Sequence, residues 1–206
     1  MCAKEVLRCS SGGITCVISA DVSKELLYLI NDYLGSDAAE LISNLGYLML
    51  CRGVFNEAYL IPPKLKDIIK TLFKSGRVPY SAGLYLGRIR KFSPKFIPSI
   101  NLLQLVYDSL GFRSALIIRE EGLKPFLYGN DVLKVSVINC FEPVRRGYLV
   151  GIVGLDGFVY GVGLSVINSC RELRNLKDDD LVARNVFDVG WFLRGGTEFR
   201  ERMFKI

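Results

Sequence analysis

Arginines and lysines, rather than histidines or paired carboxylates, are the residues of this chain spaced to do chemistry. Arg171, Arg174 and Lys177 recur at every third position, and three cations on one face would neutralise successive phosphates of a polyanion. In a flat strand, residues three apart face opposite sides; a segment with three residues per turn puts all three on one side. A competing reading stands beside this one, because Glu172 and the run Asp178–Asp180 can pair with the same cations internally. Lys134 reads either as a phosphate contact or as an exposed lysine at the start of a strand. Gly129-Asn130-Asp131 reads first as a turn, with glycine supplying positive φ and Asn or Asp a cap. A longer basic run holds Lys64, Lys66, Lys70, Lys74, Arg77, Arg88, Arg90, Lys91 and Lys95 against a single acid, Asp67. It is either a solvated face or a surface for an anionic partner.

What the chain lacks is as informative. There is no histidine, which removes Ser-His-Asp and Cys-His catalysis and every zinc site that uses imidazole. None of the cysteines Cys2, Cys9, Cys16, Cys51, Cys140 and Cys170 is spaced as C-x-x-C, so no zinc ribbon or redox motif is written here. The expectation is therefore no catalytic residue, no metal and no cofactor. The cysteines are expected to be reduced, mostly buried thiols of a cytoplasmic protein (nucleolar if the source is eukaryotic), and the N-terminus has no secretory pattern. A net charge of +6 favours an anionic partner, nucleic acid first. Gly147–Ile167 has the length of a membrane span, with Asp156 as its one charge. Asp156-Gly157 at its centre is instead a hairpin signal, so two strands and no membrane partner are expected.

The elements that must position these residues fall into two halves. Asp21 or Ser23 can cap a helix to Leu34, and Ser36 or Asp37 a second over Ala38–Leu45. Strands are expected at Tyr47–Cys51 and Val54–Leu60. A helix then opens at Pro62-Pro63 with Leu65, Ile68, Ile69, Leu72 and Phe73 inward. Strands Leu84–Arg90 and Phe96–Ile100 and a helix Asn101–Leu110 complete the first half. After Gly111 short β-rich runs dominate, at Ser114–Ile118, Val135–Asn139, the Tyr148–Val166 hairpin and Leu181–Phe187. Turns or short helices near Gly129–Lys134 and Asp188–Leu193 are the only breaks expected. Phe126, Tyr128, Phe158 and Tyr160 read as barrel-filling residues. Strands at this spacing suggest a small barrel.

The segment Phe126–Lys134 resembles the signature of PUA domains, and Val159–Ser165 resembles the glycine-containing strand that closes that barrel. Upstream, Ser81–Arg88 and Phe96–Leu103 are similar to the end of the α/β domain that precedes the PUA domain in the Nip-type factors of large ribosomal subunit biogenesis. One residue is inserted between Lys91 and Lys95 relative to that pattern. Asp188-Val-Gly-Trp-Phe-Leu-Arg194 is similar to the family's closing helix. The resemblance implies an α+β protein, a mixed α/β pre-PUA domain over 1–111 followed by a mostly-β PUA barrel over 112–206. It implies a non-catalytic factor binding single-stranded RNA (ribosomal RNA or its precursor) beside ribosome assembly proteins, without a small-molecule substrate. Arg171, Arg174 and Lys177 match the family's contact positions, and the turn at Gly129 and Asn130, with Lys134, lies beside the RNA in PUA domains. The rival class is an RNA-modifying enzyme of the pseudouridine synthase or methyltransferase type. A methyltransferase needs a glycine-rich loop and a later acid that Gly12-Gly13 and Gly46 do not build.

Overall fold

In the computed structural model, which describes residues 6–79 and 82–194, the chain divides into two units, Met1–Val106 and Tyr107–Ile206. The first is built on six antiparallel strands in sequential order: β1 Leu7–Ser11, β2 Ile14–Ile18, β3 Tyr47–Arg52, β4 Asn56–Ile61, β5 Leu84–Ile89 and β6 Phe96–Pro98. Helices α1 (Ala20–Leu34) and α2 (Ser36–Leu45) are inserted after β2, α3 (Lys66–Lys74) after β4, and α4 (Ile100–Leu110) follows β6. Period-two alternation sorts the strands by face. Cys9, Cys16, Met49, Tyr59 and Ile61 form one core with Ile69 and Phe73 of α3, while α1 packs on β2 and β3. The hairpin β1–β2 was not legible in the sequence, where Met1–Ser19 carries no clear period; Gly12 and Gly13, both at positive φ, make its turn.

Local signals place these helices with small differences. Ser19, not Asp21 or Ser23, caps α1, its hydroxyl accepting from the Val22 N–H at 3.2 Å. Gly35 at φ 93° ends α1 and directly precedes α2, so Ser36 and Asp37 are helical rather than caps. Ile68, expected inward, is 56% exposed, because a helix packed on one sheet buries a narrow stripe, which Ile69 and Phe73 fill.

The second unit has a six-stranded sheet in the order β8-β12-β11-β10-β7-β9. Its strands are β7 Ala115–Ile118, β8 Val132–Leu133, β9 Val137–Phe141, β10 Leu149–Val153, β11 Val159–Ser165 and β12 Leu181–Asp188. The edge strands β8 and β9 are joined only by the 3-10 turn Lys134–Ser136, and both contribute to one core with Leu116, Val150, Ile152 and Val182. Bringing the two edges together curls the sheet into a small barrel, which leaves few unpaired backbone groups. The hairpin Asp156-Gly157 joins β10 and β11 as its sequence predicts. No helix among the described residues is long and apolar enough to cross a membrane.

Three expectations are corrected here. Helix α5 (Glu120–Leu127) was not expected; its eight residues include Gly122 and Pro125, both poor helix formers. Gly122 is required by proximity, since a Cβ there would lie 2.3 Å from the Ser136 side chain. Fully buried Phe126 anchors the helix in the barrel core. Of the four aromatics expected to fill the barrel, Tyr128 (66%) and Phe158 (60%) are exposed; one caps the end of α5 and the other follows the hairpin turn. Finally, four of the cysteines are not thiols. Cys16 is bonded to Cys51 and Cys140 to Cys170, leaving Cys9 free and buried among the described residues, outside which Cys2 lies. Sequence separations of 35 and 30 carry no pairing signal. It is the register, which sets Cys16 opposite Cys51 on neighbouring strands, that brings the first pair together.

Candidate nucleic-acid interface

The segment between β11 and β12 settles which way the basic run faces. Cys170–Asn175 is a 3-10 helix, with three residues per turn, so Arg171 and Arg174 stand one above the other. Leu173 and Leu176 turn the opposite way and pack against the barrel core. This amphipathic division explains why a polar-looking segment folds onto the barrel at all. The disulfide to Cys140 ties the start of the 3-10 helix to β9. The Cys170 N–H donates to Glu142 at 2.7 Å, a second tie near the same point.

Lys134 is brought to the same place by backbone pairing. Its N–H donates to the Asp180 carbonyl at 2.8 Å, and that of Val135 to the Asp178 carbonyl at 2.9 Å. The aspartate run thus holds Lys134 beside the 3-10 helix through its main chain. A groove of about 470 Å³ results, with Lys134, Arg171 and Arg174 on its rim and Ile138, Asn139 and Leu173 among its other walls. Ile138 is half exposed although apolar. It was not singled out in the sequence, where a lone isoleucine within a strand looks like core.

Two of the carboxylates nearby are otherwise engaged. Glu172 accepts from the N–H and the side-chain amide of Asn168, and that backbone N–H holds its carboxyl below the usual glutamate range. One Asp180 oxygen accepts the N–H of Lys177 at 2.7 Å. Among the described residues, neither Arg171 nor Arg174 forms an ion pair. Lys177 is exposed just beyond the helix and does not line the groove. Gly129 and Asn130 lie elsewhere, at the end of α5. Their N–H groups donate to the carbonyls of Phe126 and Pro125 at 2.8 and 3.1 Å. Asp131 accepts the N–H of Asn185 at 2.8 Å, so this turn is held by internal bonds.

Chemically, the groove can hold an anion on its rim and an apolar or aromatic group against its walls. Among the described residues no group of three His, Cys, Asp or Glu side chains is placed to hold a metal.

Comparison with known proteins bears on the domain and the fold. Residues 114–197 match the UPF0113 PUA domain. The chain is 24% identical over 177 residues to the 60S ribosome subunit biogenesis protein NIP7 of Saccharomyces cerevisiae, covering 86% of this chain and 94% of that protein. It is 32% identical over 114 residues to the nip7 protein of Schizosaccharomyces pombe, covering 55% of this chain and 61% of that one. Among solved structures, a hypothetical protein from Pyrococcus horikoshii OT3 shares the fold at a TM-score of 0.57 and 14% identity, covering 84% of this chain and 95% of that one.

Proposed function

We propose that this chain, which carries a UPF0113 PUA domain and is similar to the Nip-type biogenesis factors, binds single-stranded RNA as a non-catalytic factor in large ribosomal subunit assembly. The observation that carries the reading is the groove, where Lys134, Arg171 and Arg174 converge without carboxylate partners over an apolar wall. A base can rest against Ile138 and Leu173 while its flanking phosphates meet the rim cations. Lys177 extends the cationic line by one phosphate, and the three aspartates that follow mark the edge of the footprint, since like charge repels the backbone there. Gly129 and Asn130 contribute by holding the turn next to β8 rather than by donating to phosphate. The RNA is ribosomal RNA or its precursor, and assembly proteins on the same particle are the protein partners; both are drawn from what the yeast relatives are named for.

The test is the salt dependence of RNA affinity. Each phosphate contact to a single strand adds about 0.7 to the slope of log affinity against log salt. Replacing Lys134, Arg171 and Arg174 by alanine is expected to flatten that slope by roughly 2, while Lys177→Ala flattens it by no more than about 0.7. The melting temperature should hold, because unpaired charges open to solvent contribute little to stability. An unchanged slope removes the groove from the RNA site.

A further inference from the structure

The long basic run of the first unit separates in the fold. Lys64 to Lys74 belong to α3 and the 3-10 turn before it, where Lys66 sits 4.3 Å over the Tyr47 ring. Arg90, Lys91 and Lys95 belong to the turn between β5 and β6. Strand register brings three turns to the same end of the sheet. Ser11 pairs with Ile14, Arg52 with Asn56 and Ile89 with Phe96, while Thr15 opposite Arg52 and Asn56 opposite Ile89 align the hairpins side by side.

At this end stand the two most exposed large apolar side chains among the described residues, Val54 (83%) and Phe92 (76%). They lie on neighbouring turns. The Arg90 N–H donates to the Lys95 carbonyl at 2.7 Å, which closes the turn and presents Phe92 between Lys91 and Lys95. Both lysines are exposed, and among the described residues neither has an acidic partner. The base of the adjacent turn is braced by Arg88, whose guanidinium lies 3.6 Å from the Phe55 ring centre. Arg52 is already engaged, 3.6 Å from Glu25.

We propose that the β5–β6 turn is a second contact for single-stranded RNA, at which a base stacks on Phe92 and Lys91 and Lys95 take the flanking phosphates. An exposed ring with a cation on each side supplies the two elements of sequence-tolerant single-strand binding, a stacking face and phosphate neutralisation. The apolar area of one phenylalanine and one valine is too small to form the core of a stable protein interface, which needs about 800 Å² per partner. It also falls short of the broad apolar face by which amphipathic segments lie in a bilayer. The proposal shares its ligand with the PUA groove but none of its residues, so the two can fail separately.

The experiment uses the full chain and a fluorescently labelled oligouridylate, with affinity followed by anisotropy across a salt series. Phe92→Ala is expected to weaken binding about tenfold with the slope unchanged, as loss of one stacked base does, and Phe92→Tyr to restore it. Lys91→Ala with Lys95→Ala is expected to flatten the slope by about 1.4. The same losses should appear in a protein already carrying Arg171→Ala and Arg174→Ala. If the groove variant binds normally while these variants lose affinity, the turn is the site and the groove reading falls. Normal RNA binding by both turn variants overturns the proposal, and more pointedly so if they instead lose binding to phosphatidylserine vesicles or to polyglutamate. Absence of oligouridylate binding by the unmodified chain overturns both.

Discussion

At the scale of single residues, the second unit is held closed by a polar cluster in its core rather than by apolar packing alone. Asn185, buried at the middle of β12, donates to the Phe126 carbonyl at 2.9 Å, to the Asn130 carbonyl at 3.3 Å and to Asp188 at 3.2 Å. Asp188 is 2% exposed and also accepts from both terminal guanidinium nitrogens of Arg194, at 3.0 and 3.1 Å. Arg194 reaches the Leu127 carbonyl as well. One asparagine and one ion pair thus join β12, the end of α5 and the turn at Gly129. Removing the cation strands a buried carboxylate, so Arg194→Met is expected to cost about 3–5 kcal/mol. Adding Asp188→Asn should recover much of that loss, because the uncompensated charge disappears. Urea denaturation of the single and double variants checks this, and a double variant no more stable than the single one would refute it.

At the scale of elements, the barrel depends on how closely its strands approach other groups. A Cβ on Gly161 of β11 would lie 2.2 Å from the Phe187 carbonyl oxygen and 2.7 Å from the Phe126 ring. The carbonyl belongs to the neighbouring strand and cannot swing away. Gly161→Ala should therefore destabilise the protein by about 1–3 kcal/mol or more, as overpacking in a tight core does, measurable as a lowered melting temperature. Gly157→Ala, strained only by its positive φ in the hairpin turn, should cost about 1 kcal/mol. Close approach also operates on β10, where Gly151 leaves room for the Tyr107 hydroxyl. Burial pushes that hydroxyl far above the ordinary tyrosine range, against a smaller opposing effect of Arg113, so Tyr107 stays neutral and acts as packing. Element placement was readable from the sequence wherever period and punctuation agreed, as in α1, α3 and the β10–β11 hairpin. It failed at α5, where a glycine and a proline signal a break but Phe126 is fixed by the barrel around it.

For the molecule as a whole, the absence of histidine makes a prediction about pH. No side chain with an ordinary ionisation between about pH 5.5 and 8 is present to switch charge, so RNA affinity should be flat across that range. The Glu172 carboxyl titrates below that range. Its folded value is depressed by the Asn168 N–H, so the stability it contributes is present at neutral pH and is lost only as pH falls through that lowered value. A midpoint near pH 6.5 in anisotropy titrations would contradict this. The sequence by itself determined the basic, histidine-free side-chain chemistry available to the chain, because a missing residue type and an excess of cations are properties of composition that no fold can alter. It also determined the two-part α+β plan, since periodicity, glycine turns and the segments resembling a PUA domain are local. Only the tertiary structure decided which cations stand together. Whether Arg171 and Arg174 share a face depends on the 3-10 geometry, and Lys134 joins them because it and Val135 pair with Asp180 and Asp178 across more than forty positions of chain. The disulfides were decided in the same way, by register and packing. So was the exposure of Phe92, because which side chain is left in water depends on everything that folds around it.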